Sequence, residues 1–306
     1  MIRKKVLILF MGLFNLSLVF SQKQETSFIQ EIQDSVALPS GFAGNVLRLF
    51  ETPSGIVAIT PEAYLKFSKA KWISLPSGEE NILAVKDQED RVWTISRHKL
   101  YSPEEKKSID LPLMLKKDTI RCAYWEGNQI LHIGTSGGLY TWNGVWNEIK
   151  ELKGVCVNDI VSDASQKLYV ASMDGLWRRE GSRWVNLDDA VMPIGNERKY
   201  YALASGNGEK DIHFSTPHSI ACIAADGNHR AWSAVQGLPY SPVRLIRVNK
   251  EGFWLGTDKG AIKKDSSWHY YNGKRWLHDS FVNDVLPLQN GNVWIATPKG
   301  INEIKK

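Results

Sequence analysis

Cysteine is scarce in this chain. Only Cys122, Cys156 and Cys222 occur among 306 residues, an odd number at spacings that match no zinc motif. Neither a disulfide framework nor a zinc site organises such a sequence, and the three read as small buried hydrophobes. A second long apolar run is also missing, although a membrane-spanning helix needs about 20 residues of one. No stretch sustains a 3.6-residue period over helical length, so a helical bundle is excluded. There is no kinase signature and no C-terminal pair of DNA-binding helices. Net charge is small as well. The formal +5 falls to +2 once Arg3, Lys4 and Lys5 are removed, which gives no case for nucleic acid as a partner.

Those three basic residues belong to a distinct start. "MIRKK" is basic, "VLILFMGLFNLSLVF" is apolar and "SQ" follows, the layout of a secretory signal peptide. Residues 1–21 are read as that signal, with cleavage near Ser21–Gln22, and 22–306 as the mature chain; an uncleaved anchor is the alternative. No Cys follows the apolar run, which argues against a lipoprotein. The expected location is periplasmic or extracellular.

What is abundant is repetition. "GFWLGTDKGAIKKD" at 252–265 and "GNVWIATPKGINEI" at 291–304 share one grammar. A small hydroxyl residue ends a Trp-bearing strand, and a Gly three residues later opens another strand. This anchor recurs at Thr60, Ser96, Thr135, Ser172, Thr216, Thr257 and Thr297, at steps of 36 to 44 residues. The position three past it holds Gly138, Gly175, Gly260 or Gly300 in four repeats and Ala63, Lys99 and Ser219 in the others. Gly there suits a tight turn with positive φ. Each Trp strand is preceded by an apolar segment, as in "NVLRLFE", "IRCAYWE", "RLIRVNK" and "NDVLPLQ". Four short strands per repeat, bounded by Gly, Asn, Asp and Pro, imply sheets.

Four antiparallel strands about every 40 residues are the signature of a β-propeller. The expected fold is therefore all-β: one domain over 22–306 with seven four-stranded antiparallel blades. A single blade cannot bury its apolar faces, so neighbours stack into a ring and the recurring Trp packs between them. The seventh repeat ends without an outermost strand. "SFIQEIQ", Ser27–Gln33, is expected to pair with Ile301–Ile304, complete the last blade and close the ring.

"WLGTDKGAI", "WIATPKGI" and "LHIGTSGGLY" resemble the repeats of the two-component regulator propeller family. The resemblance spans all seven repeats and is crisp in the third, fourth, sixth and seventh. It implies a ligand-binding sensor domain of the kind placed outside the cell ahead of a histidine kinase. No kinase or other output element follows here, so a sensor of this type would signal through a separate membrane sensor or other signalling partner.

Function on such a scaffold lies where the repeats differ. The second-to-third-strand turns share one face with the loops that run from an outer strand to the next inner strand. Two residues past the anchor stand Glu62, His98, Gly137, Asp174, His218, Lys259 and Lys299, and Arg97 adjoins His98. The outer-to-inner loops add Tyr240, Arg275 and His278. Arg97, His98, His218, Tyr240, Lys259, Arg275, His278 and Lys299 are thus the candidate ligand-binding residues, a mostly basic arc suited to a carbohydrate or other polar anion. The competing reading is a merely solvated set of surface charges. His132 and His213 occupy the Trp slot of their strands and read as packed residues.

No cofactor and no metal site are indicated, and a monomer is expected. Whether the chain is an enzyme stays open. No G-x-S-x-G elbow is present, and no carboxylate pair is evident for glycoside hydrolysis. A polysaccharide lyase acting on a uronate-containing glycan would need a cation, a base and an acid, roles that His98, His218, His278 and Tyr240 beside the arginines and lysines can fill. A protein-interaction platform using the same face is the third reading.

Overall fold

The computed structural model describes residues 31–42, 44–127, 129–191, 198–206, 211–224, 226–239 and 242–305. Seven four-stranded antiparallel sheets follow one another as the blades of a β-propeller. The inner strands are Arg48–Thr52, Leu83–Lys86, Ile120–Glu126, Val157–Ser162, Leu203–Ser205, Leu245–Asn249 and Asp284–Pro287, for blades 1 to 7. The second strands end at or beside the anchors: Gly55–Ile59, Val92–Ile95, Ile130–Thr135, Leu168–Ser172, Ile212–Ser215, Gly252–Gly256 and Val293–Thr297.

The anchor hydroxyl has a specific task. Thr257 Oγ1 donates to the Gly260 carbonyl (2.7 Å) and accepts from the Lys259 N–H (3.0 Å), inside a turn closed by Thr257 N to Gly260 O (3.1 Å). Thr135, Ser172, Thr216 and Thr297 repeat the arrangement, and all seven anchors are buried. A buried hydroxyl is tolerated because it satisfies two backbone groups of a tight turn that the sheet cannot reach. Gly260 has φ of +139°, and a Cβ there would stand 2.5 Å from the Tyr271 carbonyl oxygen, so only glycine fits that turn.

The core is divided among the gaps between blades. Seven apolar clusters each draw on two neighbouring blades. Aromatic residues bridge several gaps. Trp93 of blade 2 lies 5.6 Å from Trp125 of blade 3, and Trp294 of blade 7 lies 5.5 Å from Phe67 of blade 1 (ring centroids). His132 and His213 are buried in their strands. The three cysteines form no disulfide.

Blade 7 takes its outermost strand from the start of the described chain. Ile32–Val36 pairs antiparallel with Gly300–Lys305, from Ile32 opposite Lys305 to Val36 opposite Ile301. The pairing strand therefore begins later than the expected Ser27–Gln33, of which 27–30 lie outside the described residues. The shift brings Val36 and Leu38 against the cluster between blades 7 and 1. Asp34 meets Lys305 at 2.7 Å, and Tyr271 donates its hydroxyl to Glu31.

Two polar devices stitch blades together. Asn158 Nδ2 donates to the Tyr200 carbonyl (2.7 Å) while Asp159 Oδ2 accepts from Leu203 N (2.9 Å). Asn283 Nδ2 donates to the Val46 carbonyl (2.7 Å) while Asp284 Oδ2 accepts from Leu49 N (3.0 Å). The same Asn–Asp clasp thus joins blade 4 to blade 5 and blade 7 to blade 1. Elsewhere Glu126 of blade 3 accepts from the buried His132 (2.9 Å) and takes both forks of Arg179 from blade 4. The His132 hydrogen bond and then the Arg179 guanidinium hold the Glu126 carboxyl at about 2.

Removing residues through Val36 exposes the edge of Gly300–Lys305, and melting by circular dichroism is expected to fall by on the order of 10 °C; an unchanged melting temperature would show the strand to be dispensable. The Glu126 carboxyl is depressed in the folded state, so its stabilisation is present above the ordinary carboxylate range and fades as pH drops toward 2. Glu126→Gln is expected to cost about 2–3 kcal/mol at pH 7 and far less near pH 2.5, read from urea unfolding at both pH values.

Candidate functional site

The seven inner strands enclose a cavity of about 1110 Å³ on the ring axis. Its walls are mostly the aliphatic and backbone surfaces of those strands, with charged side chains set into them. Arg48, Arg244 and Arg247 line it, together with Asn158 and Asp159. Asp284 is fully buried behind this lining. Its Oδ1 accepts from Arg247 Nη2 at 2.8 Å and lies 3.9 Å from Arg48 Nη1, so the two guanidinium groups flank one carboxylate oxygen. Arg121 Nε donates to Asn158 Oδ1 at 2.8 Å. Arg244 is exposed, with its guanidinium 5.8 Å from the ring centre of Phe281.

Register explains the arrangement. Asp159 and Asp284 both stand opposite the residue before the anchor, Ala171 and Ala296 respectively, and in blade 1 that place, opposite Ile59, is Arg48. Leu83, Cys122 and Leu245 fill it in blades 2, 3 and 6. Burial raises the Asp159 carboxyl above its ordinary range, against the opposing N–H donors of Leu203 and Ile160 and the charges of Arg48 and Arg247. Burial also pushes the Cys122 thiol up.

Arg97, His98, His218, Lys259, His278 and Lys299 stand exposed on turns and loops and Arg275 on the short helix Gly273–Trp276, and none lines the axial cavity. His98 Nδ1 lies 3.3 Å from Glu79 Oε2, and Lys299 Nζ 2.9 Å from Asp279 Oδ2. His278 Nε2 is 3.0 Å from Ser35 Oγ, and Arg275 covers the ring of Trp276. His218 and Lys259 are fixed through backbone N–H bonds to their anchors. The structure brings His278, Asp279 and Lys299 together at the edge of blade 7, where a Cβ on Gly300 would lie 3.6 Å from the His278 ring. Tyr240 lies outside the described residues. The arc is not uniformly basic: Glu62, Glu79 and Glu80 line a smaller concavity of about 610 Å³ at blades 1 and 2.

Turn-by-turn comparison missed the channel residues. The signal was present in the inner-strand segments, where "NVLRLFE", "RLIRVNK" and "NDVLPLQ" carry Arg48, Arg247 and Asp284, at positions that blades 2 and 3 fill with apolar or aromatic residues.

Among solved structures, the fold matches the extracellular domain of a hybrid two-component system from B. thetaiotaomicron with a TM-score of 0.71 at 14% identity, over 90% of this chain. A second such domain from the same organism gives 0.69 at 15% identity over 90% of this chain and 41% of its own length. The chain spans about two fifths of the length of these domains. A streptogramin B lyase gives 0.70 at 13% identity, over 90% of this chain and 97% of that one. No protein-family model matches the chain. No curated protein matches it either. These likenesses establish the propeller fold, which extracellular domains of two-component systems and a lyase also carry. Among the described residues no helix is long and apolar enough to cross a membrane.

Asp284 carries both the clasp to blade 1 and the pairing of Arg247. Asp284→Ala removes a fully buried partner from a guanidinium that is 36% exposed, so the loss is expected below the full cost of breaking a buried pair, at about 2–4 kcal/mol. Urea unfolding measures it; a change under about 0.5 kcal/mol would contradict the clasp.

Proposed function

We propose that this chain is an exported ligand-recognition module, sensor-like in role, that takes a carbohydrate or other polar anionic ligand at its loop-rich face and passes the signal to a separate membrane or signalling partner. One observation carries the reading. The axial cavity has the size of a small-molecule site and sets three arginines in its lining, of which, among the described residues, Arg244 forms no ion pair and Arg48 only a long one to the buried Asp284. The likeness to extracellular domains of two-component systems supports the sensor role. Leu113, Met114 and Val235, exposed on outer-to-inner loops, offer apolar footing for a partner on the same face.

The second reading, a polysaccharide lyase, is favoured by the likeness to lyases nearly all of whose length this fold spans, one of them a virginiamycin B lyase inactivated by replacing a single histidine. Here the exposed His98, His218 and His278 are the histidines to test, with Tyr240 beside them in sequence order.

Purified protein mixed with acidic and neutral glycans is expected to show thermal stabilisation by anionic members only, weakening as salt rises. Stabilisation by neutral glycans alone would overturn the anionic reading. Absorbance of an unsaturated uronate, appearing with time and lost on His98→Ala, His218→Ala or His278→Ala, would establish the lyase instead.

A further inference from the structure

We propose that the anionic group of the ligand is a carboxylate seated inside the channel, on the guanidinium groups of Arg48 and Arg244, with the rim cations contributing little. This rests on the reading above and assigns its seat and chemistry.

Three observations lead there. Arg48 occupies the register position that Asp159 and Asp284 use for the clasp between blades. Blade 1 therefore presents a cation to the channel where two other blades present a carboxylate to a neighbouring strand. Its side chain is 26% exposed, and its one ion-pair contact among the described residues, Asp284 at 3.9 Å, is beyond hydrogen-bond length. The fork is thus half-desolvated and still able to donate. Arg244 lines the same cavity and, among the described residues, forms no ion pair; its neighbour is the ring of Phe281.

The second argument is charge. Arg247 is engaged by Asp284 and Lys86 by Asp90, while Glu51 and Asp159 are the other acids of the lining. Arg48 and Arg244 are left as the cations of the lining with no carboxylate at hydrogen-bond distance among the described residues, a match for one carboxylate held by guanidinium forks. A polysulfated chain needs a basic track leading out of the channel. The rim does not supply one, because Glu62, Glu79 and Glu80 interrupt it at blades 1 and 2.

The third argument compares the rim. Lys299 is paired with Asp279 and His98 with Glu79. A ligand anion there competes with carboxylates already in place, in water, where an ion pair contributes about 0–1 kcal/mol. Inside the channel the same contact is stronger because less solvent screens it.

The test uses the full chain and titration calorimetry. The probes are uronate monomers and oligomers, their carboxyl-reduced neutral forms, and sulfated oligosaccharides. Uronates are expected to bind and their reduced forms to fail. Arg48→Gln and Arg244→Gln should each weaken uronate binding by about tenfold or more, with Arg48→Lys intermediate because it keeps charge and loses the fork. Lys259→Ala combined with Lys299→Ala should change affinity by less than about threefold. Circular dichroism melting checks that each variant is folded. Uronate binding lost with the lysines and kept by both arginine variants would place the seat on the rim and overturn the proposal, leaving anion recognition standing. Binding of sulfated probes alone would overturn the carboxylate assignment. Failure of every anionic probe with the wild-type chain would overturn this proposal and the functional reading together.

Discussion

A buried hydroxyl bonded to the backbone three residues ahead is the constraint on which this molecule depends. In each repeat it fixes the turn between the second and third strands, and so fixes where the third strand begins relative to the second. A slip of one residue would turn every apolar side chain of that strand to the wrong face. Among the described residues the apolar clusters all lie in the gaps between blades, so an error in one blade would leave two clusters unfilled. Thr and Ser fit because the hydroxyl donates and accepts at once; an aliphatic residue of equal size would leave the turn N–H without its acceptor and the turn carbonyl with only the backbone N–H of the anchor.

The anchor also sets what varies. Holding the turn backbone leaves the two residues after it pointing outward, so they carry charge at no cost to packing. That freedom explains why Glu62, His98, Asp174 and Lys259 can succeed one another at a single position. The inner strands are under the opposite pressure. Their side chains meet neighbouring blades or the axis, and a charge is tolerated only when a partner or solvent in the channel meets it. Asp159 and Asp284 satisfy this rule through backbone N–H groups of the next blade, and Arg247 through Asp284. Arg48 satisfies it only in part, which is why this position separates structure from function more sharply than any rim residue.

The repeat, the blade count, the anchors and the glycine turns were legible in the sequence, because each rests on local spacing. The outermost strand of blade 7 was legible in kind and misplaced in register. Its alternating polar residues give no marked apolar face, and its position is set by Val36 and Leu38 finding a cluster built by blades 7 and 1. His132 and His213 could be read as packed from their slot in the strand. The channel was not read. "NVLRLFE" shows an arginine in an apolar run, yet only ring geometry reveals that this arginine, Arg247 and Asp284 meet from blades 1, 6 and 7. Arg48 and Arg247, far apart in sequence, share one carboxylate there, and nothing in local periodicity carries that information.

A shared scaffold does not choose between binding and catalysis, so that choice must come from the groups the scaffold presents. Proton abstraction beside a carboxylate needs a base free to change partners during the reaction. The acids at this axis are poorly suited to that. Both oxygens of Asp159 accept backbone N–H bonds, from Ile160 and Leu203, and Asp284 is held by Leu49, Val285 and Arg247. Moving either one would loosen a seam between blades. Arg48 and Arg244 carry no such duty and can reorganise around an incoming anion without disturbing the ring. With Asp159 and Asp284 committed to the fold and Arg48 and Arg244 not, this part of the axis is better suited to holding a ligand than to transforming one.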